Sequence, residues 1–129
     1  MEDIHISGFK DCYIQPTVDF VESTGECAIS GESFMEETAK FYWPLVEWVK
    51  EYGKKHNKIV FTFSLTYYNT STSKWLLAIL KELREMENEG GEVTVIWRYT
   101  PDDTDMNDDI MDYMVDTGLH INMVPFDES

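Results

Sequence analysis

The chain reads as an α/β protein: a small mixed sheet of about five strands in the order ββαβαβαβ, with helices mainly on one face. Three observations predict this. Lys58–Tyr68 and Glu92–Tyr99 alternate with period two, as strands do. Apolar residues at helical spacing lie before, between and after these strands. The alternation is also one-sided. Ile59, Phe61, Phe63, Leu65 and Tyr67 share one face, while Val60, Thr62, Ser64, Thr66 and Tyr68 share another that is mostly hydroxyl. A sheet buried on both faces is apolar on both, so the helices are expected to cover one side.

Along the chain, the first residues show no clear periodicity and are expected to be partly loose. Thr17–Val21 alternates, Ser23-Thr24-Gly25 is a turn, and Cys27–Ser30 is a second short strand, which together predict a hairpin. Ser33 with Glu36 three residues on matches a capping box, so a helix is expected from there. Its stripe is Phe41, Leu45, Trp48, Val49 and Tyr52. Pro44 lies inside it and lacks an N–H, which predicts a kink or a restart with Pro44 in the first turn. Gly53, Lys54, Lys55 and His56 suit the helix end. After the Lys58–Tyr68 strand, a helix from about Ser71 to Glu89 buries Leu76, Ile79, Leu80 and Leu83, and Gly90-Gly91 stops it. Glu92–Tyr99 is the next strand. Met106, Ile110, Tyr113 and Met114 mark a third helix ending at Gly118, and Ile121–Val124 is a final strand. Strand–helix–strand units imply parallel pairs joined by right-handed crossovers, with the opening hairpin adding an antiparallel edge.

With 129 residues, 43% of them hydrophobic, a single domain over residues 1–129 is expected. The formal net charge is −15, from 25 acidic and 10 basic residues. Such a surface repels nucleic acid and anionic membranes, so neither is expected as a partner; it favours a basic protein partner or high solubility. Cys12 and Cys27 are too few for a disulfide framework and lack metal-ligand spacing, so reduced thiols on or near strands are expected. Met1–Gly8 has no apolar signal core and no run approaches the ~18 residues of a membrane helix, which points to the cytoplasm.

Two stretches could carry chemistry. Asp102, Asp103, Asp105, Asp108, Asp109 and Asp112 crowd into PDDTDMNDDIMD. Hard cations want several oxygens, but the glycine and glutamate that a calcium loop needs are out of register. Acids in a loop and at a helix start, where they complement the dipole, account for the pattern. His5, His56 and His120 are scattered, and no P-loop, nucleophile elbow, glycine-rich fingerprint or zinc motif is present. No catalytic residue, metal or cofactor is therefore expected. The second stretch is YYNTSTSKWLL, where Asn69, Thr70, Ser71, Thr72 and Ser73 precede Lys74 and a helix. Capping explains one or two of these residues. Binding of a free phosphate fits poorly, since no glycine allows close backbone approach. Phosphorylation of a hydroxyl at an accessible helix start fits better, and spacing leaves Thr70, Ser71, Thr72 and Ser73 equivalent. Trp75, near the same helix start, suits either an interface anchor or packing at the sheet edge.

Four stretches carry a family resemblance: TVDF, GESFMEETAKFYWPLVEWVKEY, LTYYNTSTSK and GGEVTVIWRYTPDDTDM. From about Asp3 to Phe126 the chain resembles the SiaC regulatory phosphoproteins, bacterial STAS-like proteins akin to anti-sigma-factor antagonists. Family members tend to have Pro and Asn where Met35 and Glu37 stand, and Asn107–Gly118 matches loosely. The resemblance implies a STAS-like fold and a switch rather than an enzyme. A partner kinase phosphorylates the threonine of the N-T-S segment, Thr70 here, and a partner phosphatase resets it. The unphosphorylated form binds and activates an effector protein such as a diguanylate cyclase, which ties the chain to cyclic-di-GMP signalling and biofilm regulation. Tyr68, Asn69, Ser71, Thr72, Ser73, Lys74 and Trp75 would shape the loop and bind partners around Thr70. The alternatives are an acidic adaptor without a switch, docking through residues 102–116, and a metal-dependent enzyme using the aspartates of residues 102–112.

Overall fold

A computed structural model describes residues 1–11 and 13–126. The strands are β1 (Ile4–Ile6), β2 (Phe9–Lys10), β3 (Ile14–Gln15), β4 (Thr17–Val21), β5 (Glu26–Ser33), β6 (Lys58–Tyr68), β7 (Glu92–Tyr99) and β8 (Ile121–Pro125). The helices are α1 (Thr38–Lys55), α2 (Thr70–Asn88) and α3 (Thr104–Thr117). The main sheet has six strands in the order β1-β4-β5-β6-β7-β8, and β2-β3 form a separate ribbon. The β1–β4 and β4–β5 pairs are antiparallel; the β5–β6, β6–β7 and β7–β8 pairs are parallel. Each parallel step passes through one helix, so the chain order β5-α1-β6-α2-β7-α3-β8 advances across the sheet in one direction.

The core lies between the helices and one sheet face. Phe61, Phe63, Leu65 and Trp97 from the strands and Leu76, Ile79, Leu80 and Leu83 from α2 are fully buried. Thr62 and Ser64, on the other face, are half-buried. An aromatic ladder runs through the core toward α3: Phe63 stacks on Trp97 at 4.4 Å between centroids, and Trp97 on Tyr113 at 5.5 Å. Among the described residues no helix is long and apolar enough to cross a membrane.

Several expectations change. The N-terminal residues are not loose, because Ile4–Ile6 pairs in register with Val18–Phe20 and makes a sixth strand. Ser33 does not cap a helix. It ends β5, and α1 starts five residues later with Glu37 at its N-cap and no side-chain cap bond. The reciprocal backbone bonds between Ile14 and Phe34 keep the chain extended past Ser33. Pro44 lies inside one continuous helix, so the restart is not taken. In α1, Tyr42 and Val46 join Leu45, Trp48, Val49 and Tyr52 in the core, while Phe41 is half-buried. Cys27 is buried in β5 with a free thiol, whose pKa burial pushes up to about 12; Cys12 lies outside the described residues. The third helix and last strand fall where the pattern placed them, and Gly118 closes α3 in the left-handed region at φ 78°.

The change that matters most is at the end of β6. Gly31 pairs with Leu65, but Glu32 pairs with Tyr67, so Thr66 is an extra residue in the ladder. Such a bulge shifts the alternation by one. Tyr67 therefore points away from the core side, 45% exposed beside Phe34. Tyr68 turns toward Trp97 and the helices. The expected faces of these two tyrosines are exchanged.

Candidate functional site

The site lies where β6 ends and α2 begins. Asn69 is the N-cap of α2, in an extended conformation at φ −84° and ψ 170°. Both ends of its amide are hydrogen-bonded. Oδ1 accepts from Thr72 N at 3.1 Å, Thr72 Oγ1 at 2.6 Å and Ser71 Oγ at 3.2 Å, while Nδ2 donates to Met35 O at 3.2 Å. Asn69 N also donates to Ser33 O at 3.1 Å. One residue thus caps α2 and fastens it to the β5–α1 loop.

Beneath the cap is a buried chain of hydroxyls. Tyr42 OH donates to Ser33 Oγ at 2.8 Å, and Ser33 Oγ and Thr72 Oγ1 are 2.9 Å apart. Thr72 spends its hydrogen on Asn69 Oδ1, so Ser33 must donate to Thr72. The relay runs one way, from Tyr42 through Ser33 and Thr72 to Asn69. Ser33 and Thr72 are both fully buried. Burial raises the Tyr42 phenol to about 12, since a phenolate there would lose its hydration.

The four hydroxyls of residues 70–73 are now distinct. Thr72 is buried in the relay, half-buried Ser71 donates to Asn69 Oδ1, and half-buried Ser73 donates to Thr70 O at 2.7 Å. Thr70, the first residue of α2, is exposed, and its hydroxyl has no hydrogen-bond partner among the described residues.

Thr70 borders a surface groove of about 390 Å³ between α2 and α3. Lys74 lines the α2 side; Asp109, Asp112 and Asp116 line the α3 side. Tyr68 joins the walls: Tyr113 OH donates to Tyr68 OH at 3.1 Å, and Tyr68 OH donates to Asp109 Oδ2 at 2.9 Å. Burial pushes both phenols up, Tyr113 to about 12 and Tyr68 further, with Tyr113 and Asp109 adding to the shift at Tyr68. On the other side of the cap, a groove of about 660 Å³ is lined by Tyr13, Phe34, Met35 and Phe41, among others. Trp75 is half-buried and stands edge-on to Trp43, which is 56% exposed, with ring centroids 6.3 Å apart.

The aspartates divide differently from a metal loop. Asp103 caps α3 by accepting from Met106 N at 2.9 Å, and Asp105 sits in the first helical turn. Among the described residues no group of three or more His, Cys, Asp or Glu is arranged to hold a metal. The histidines stay apart: His5 bonds Asp19, His56 bonds Glu22 and His120 bonds Asn122. Reading the sequence missed Ser33, Tyr42, Asp109 and Tyr113 as parts of the site. Tyr42 was the most accessible of these, since it shares a helical stripe with Leu45, Val49 and Tyr52.

The family model for SiaC family regulatory phosphoproteins matches residues 10–126. The chain belongs to this family. It is thus a regulatory phosphoprotein by family, and the hydroxyl-rich cap lies within the matched region. An uncharacterised protein of Pseudomonas aeruginosa (strain UCBPP-PA14) is 26% identical over 100 residues, 77% of each chain. The fold is that of SiaC of P. aeruginosa, with a TM-score of 0.86 at 21% identity over 98% of this chain and 100% of that one. The crystal structure of apo-SiaC from P. aeruginosa matches with a TM-score of 0.82 at 22% identity, covering 96% of this chain and 99% of that one. A chain in the crystal structure of the P. aeruginosa diguanylate cyclase SiaD in complex with its activator SiaC matches with a TM-score of 0.88 at 21% identity, covering 96% and 100%.

Proposed function

We propose that this protein is a phosphorylation-switched binding module rather than an enzyme, and that Thr70 is its modified residue. A partner kinase adds the phosphate and a partner phosphatase removes it. The unmodified form binds and activates an effector protein of the diguanylate cyclase class. One observation carries the assignment: of the four hydroxyls at the start of α2, Thr70 alone is exposed, while Ser71 and Thr72 are bonded to the cap residue Asn69 and Ser73 to the Thr70 carbonyl. The family's character as regulatory phosphoproteins supports modification, and the P. aeruginosa SiaC described as an activator of SiaD supports the class of effector.

In this reading Asn69, Ser71, Thr72 and Ser73 hold the loop, and Tyr68, Lys74 and Trp75 form the docking surface around Thr70. A phosphate adds about −1.5 to −2 charge at a helix N-terminus, where the dipole and unpaired N–H groups tolerate it. The fold is therefore preserved and the surface is changed. In an interface, an uncompensated charge costs about 2–5 kcal/mol, or about 30-fold to 5,000-fold in Kd. Mass spectrometry after incubation with the cognate kinase and ATP should place the phosphate on Thr70, and Thr70→Ala should abolish it. Modification that persists in Thr70→Ala refutes the site, and full effector binding by the phosphorylated protein refutes the switch.

A second reading, an adaptor docking through α3 without a switch, draws on Met111 and Val115, which are 51% and 82% exposed on that helix. It requires effector binding to fail in Val115→Glu and to survive phosphorylation.

A further inference from the structure

The two walls of the Thr70 groove are unequal in charge and in anchorage. Asp109, Asp112 and Asp116 recur at i, i+3 and i+7, so they form one stripe along α3, and Lys74 is the cation lining the groove with them. The α2 wall is held from below: its first turn is capped by Asn69, and Asn69 is held by the buried relay from Tyr42. The α3 wall is held more lightly. Its buried side chains are Met106, Ile110 and Tyr113, and at the groove its tie is the hydrogen-bond pair from Tyr113 to Tyr68 to Asp109.

We infer that α3 registers the state of Thr70: phosphate there repels the aspartate stripe, Asp109 leaves Tyr68, and the groove side of α3 loosens. The inference rests on Thr70 as the modified residue and supplies the conformational consequence of modification. The unmodified groove already sets three carboxylates against one ammonium. A phosphate adds about −1.5 to −2 charge. The phosphate and the carboxylates would line one groove, and physiological salt screens exposed charges only beyond about 8 Å. The phosphate itself is favoured where it sits, at the N-terminus of a well-capped helix. The strain therefore falls on the wall with less to hold it. Once Asp109 withdraws, Tyr68 OH loses its acceptor, and the tie at the groove is reduced to the bond from Tyr113 to Tyr68.

The test uses the full chain with phosphothreonine encoded at position 70 during translation, so no kinase is needed. Amide hydrogen exchange in the segment 107–116 should be about tenfold faster than in the unmodified protein, with β6 and the rest of α2 unchanged. An Asp112→Asn/Asp116→Asn variant carrying the same phosphothreonine should show about twofold acceleration or less, and 1 M salt, with its ~3 Å screening length, should have a similar effect on the wild type. Equal or slower exchange in the phosphorylated wild type overturns the inference. So does an acceleration that survives both charge removal and salt, since it would arise from shape and not repulsion. Failure of the underlying reading appears elsewhere, as unchanged effector affinity of the phosphothreonine protein or kinase labelling away from Thr70.

Discussion

Replacing Thr72 with valine keeps the shape of a fully buried side chain and removes one hydroxyl from the middle of the relay. Two effects follow from the geometry. Ser33 loses its acceptor at 2.9 Å, leaving a buried O–H unpaired, which costs about 1–3 kcal/mol. Asn69 Oδ1 loses its bond at 2.6 Å but keeps Thr72 N and Ser71 Oγ, a loss of about 0.5–1.5 kcal/mol. The expected destabilisation is about 1.5–4.5 kcal/mol, a sizeable part of an ordinary domain's stability. Thr72→Ser is the control. It keeps the hydroxyl and loses one methyl, at about 1 kcal/mol. Urea denaturation followed by circular dichroism should move the midpoint of Thr72→Val down by about 1 M, and that of Thr72→Ser by half of this or less. If Thr72→Val matches the wild type, or is the more stable of the two variants, the directional relay is wrong and Thr72 is held by packing alone.

The bulge at Thr66 yields a comparison between neighbours. Tyr68→Phe removes the donor to Asp109 and the acceptor for Tyr113, so it should cost about 1–2 kcal/mol in chemical denaturation, whereas Tyr67→Phe, on the exposed side, should stay within about 0.5 kcal/mol. The reverse ranking would restore the unbroken alternation. Alkaline stability tests the buried phenols. Tyr42 and Tyr113 have folded pKa values of about 12 against an ordinary 10, so the native state holds more protons than the unfolded state in that window. Stability from these groups is intact below pH 10 and falls as the pH rises toward 12, by roughly 2–3 kcal/mol per tyrosine once complete. Urea midpoints at pH 9, 10 and 11 should decline in that order; a level profile, with native tyrosine absorbance titrating near pH 10, would show these phenols to be hydrated.

The route of the chain was legible because it depends on patterns that are local. Period-two runs marked β4, β6 and β7 at their observed ends, and apolar stripes marked the inward faces of α2 and α3. The hydroxyl cluster and its family resemblance singled out the start of α2. Ser33 was misread because a serine followed three residues later by glutamate has the same local grammar at a helix start as at a strand end. Only the hydrogen bonds from Tyr42 and to Thr72, residues distant in sequence, reveal its use. The tyrosine exchange was hidden for a similar reason. A bulge is a property of two paired strands, and one strand's alternation does not record where its neighbour slips.

Sequence by itself determined the fold class, the acidic character of the surface and the place where hydroxyls gather, since each follows from composition or from spacing along one element. Spacing left Thr70, Ser71, Thr72 and Ser73 equivalent, and only the family resemblance pointed to Thr70. Tertiary structure gave the four hydroxyls different surroundings, because exposure and hydrogen bonding depend on what β5, α1 and α3 bring to the end of β6. Those elements bury Thr72 over Ser33, turn Ser71 toward Asn69, and leave Thr70 facing the aspartates of α3 across open solvent.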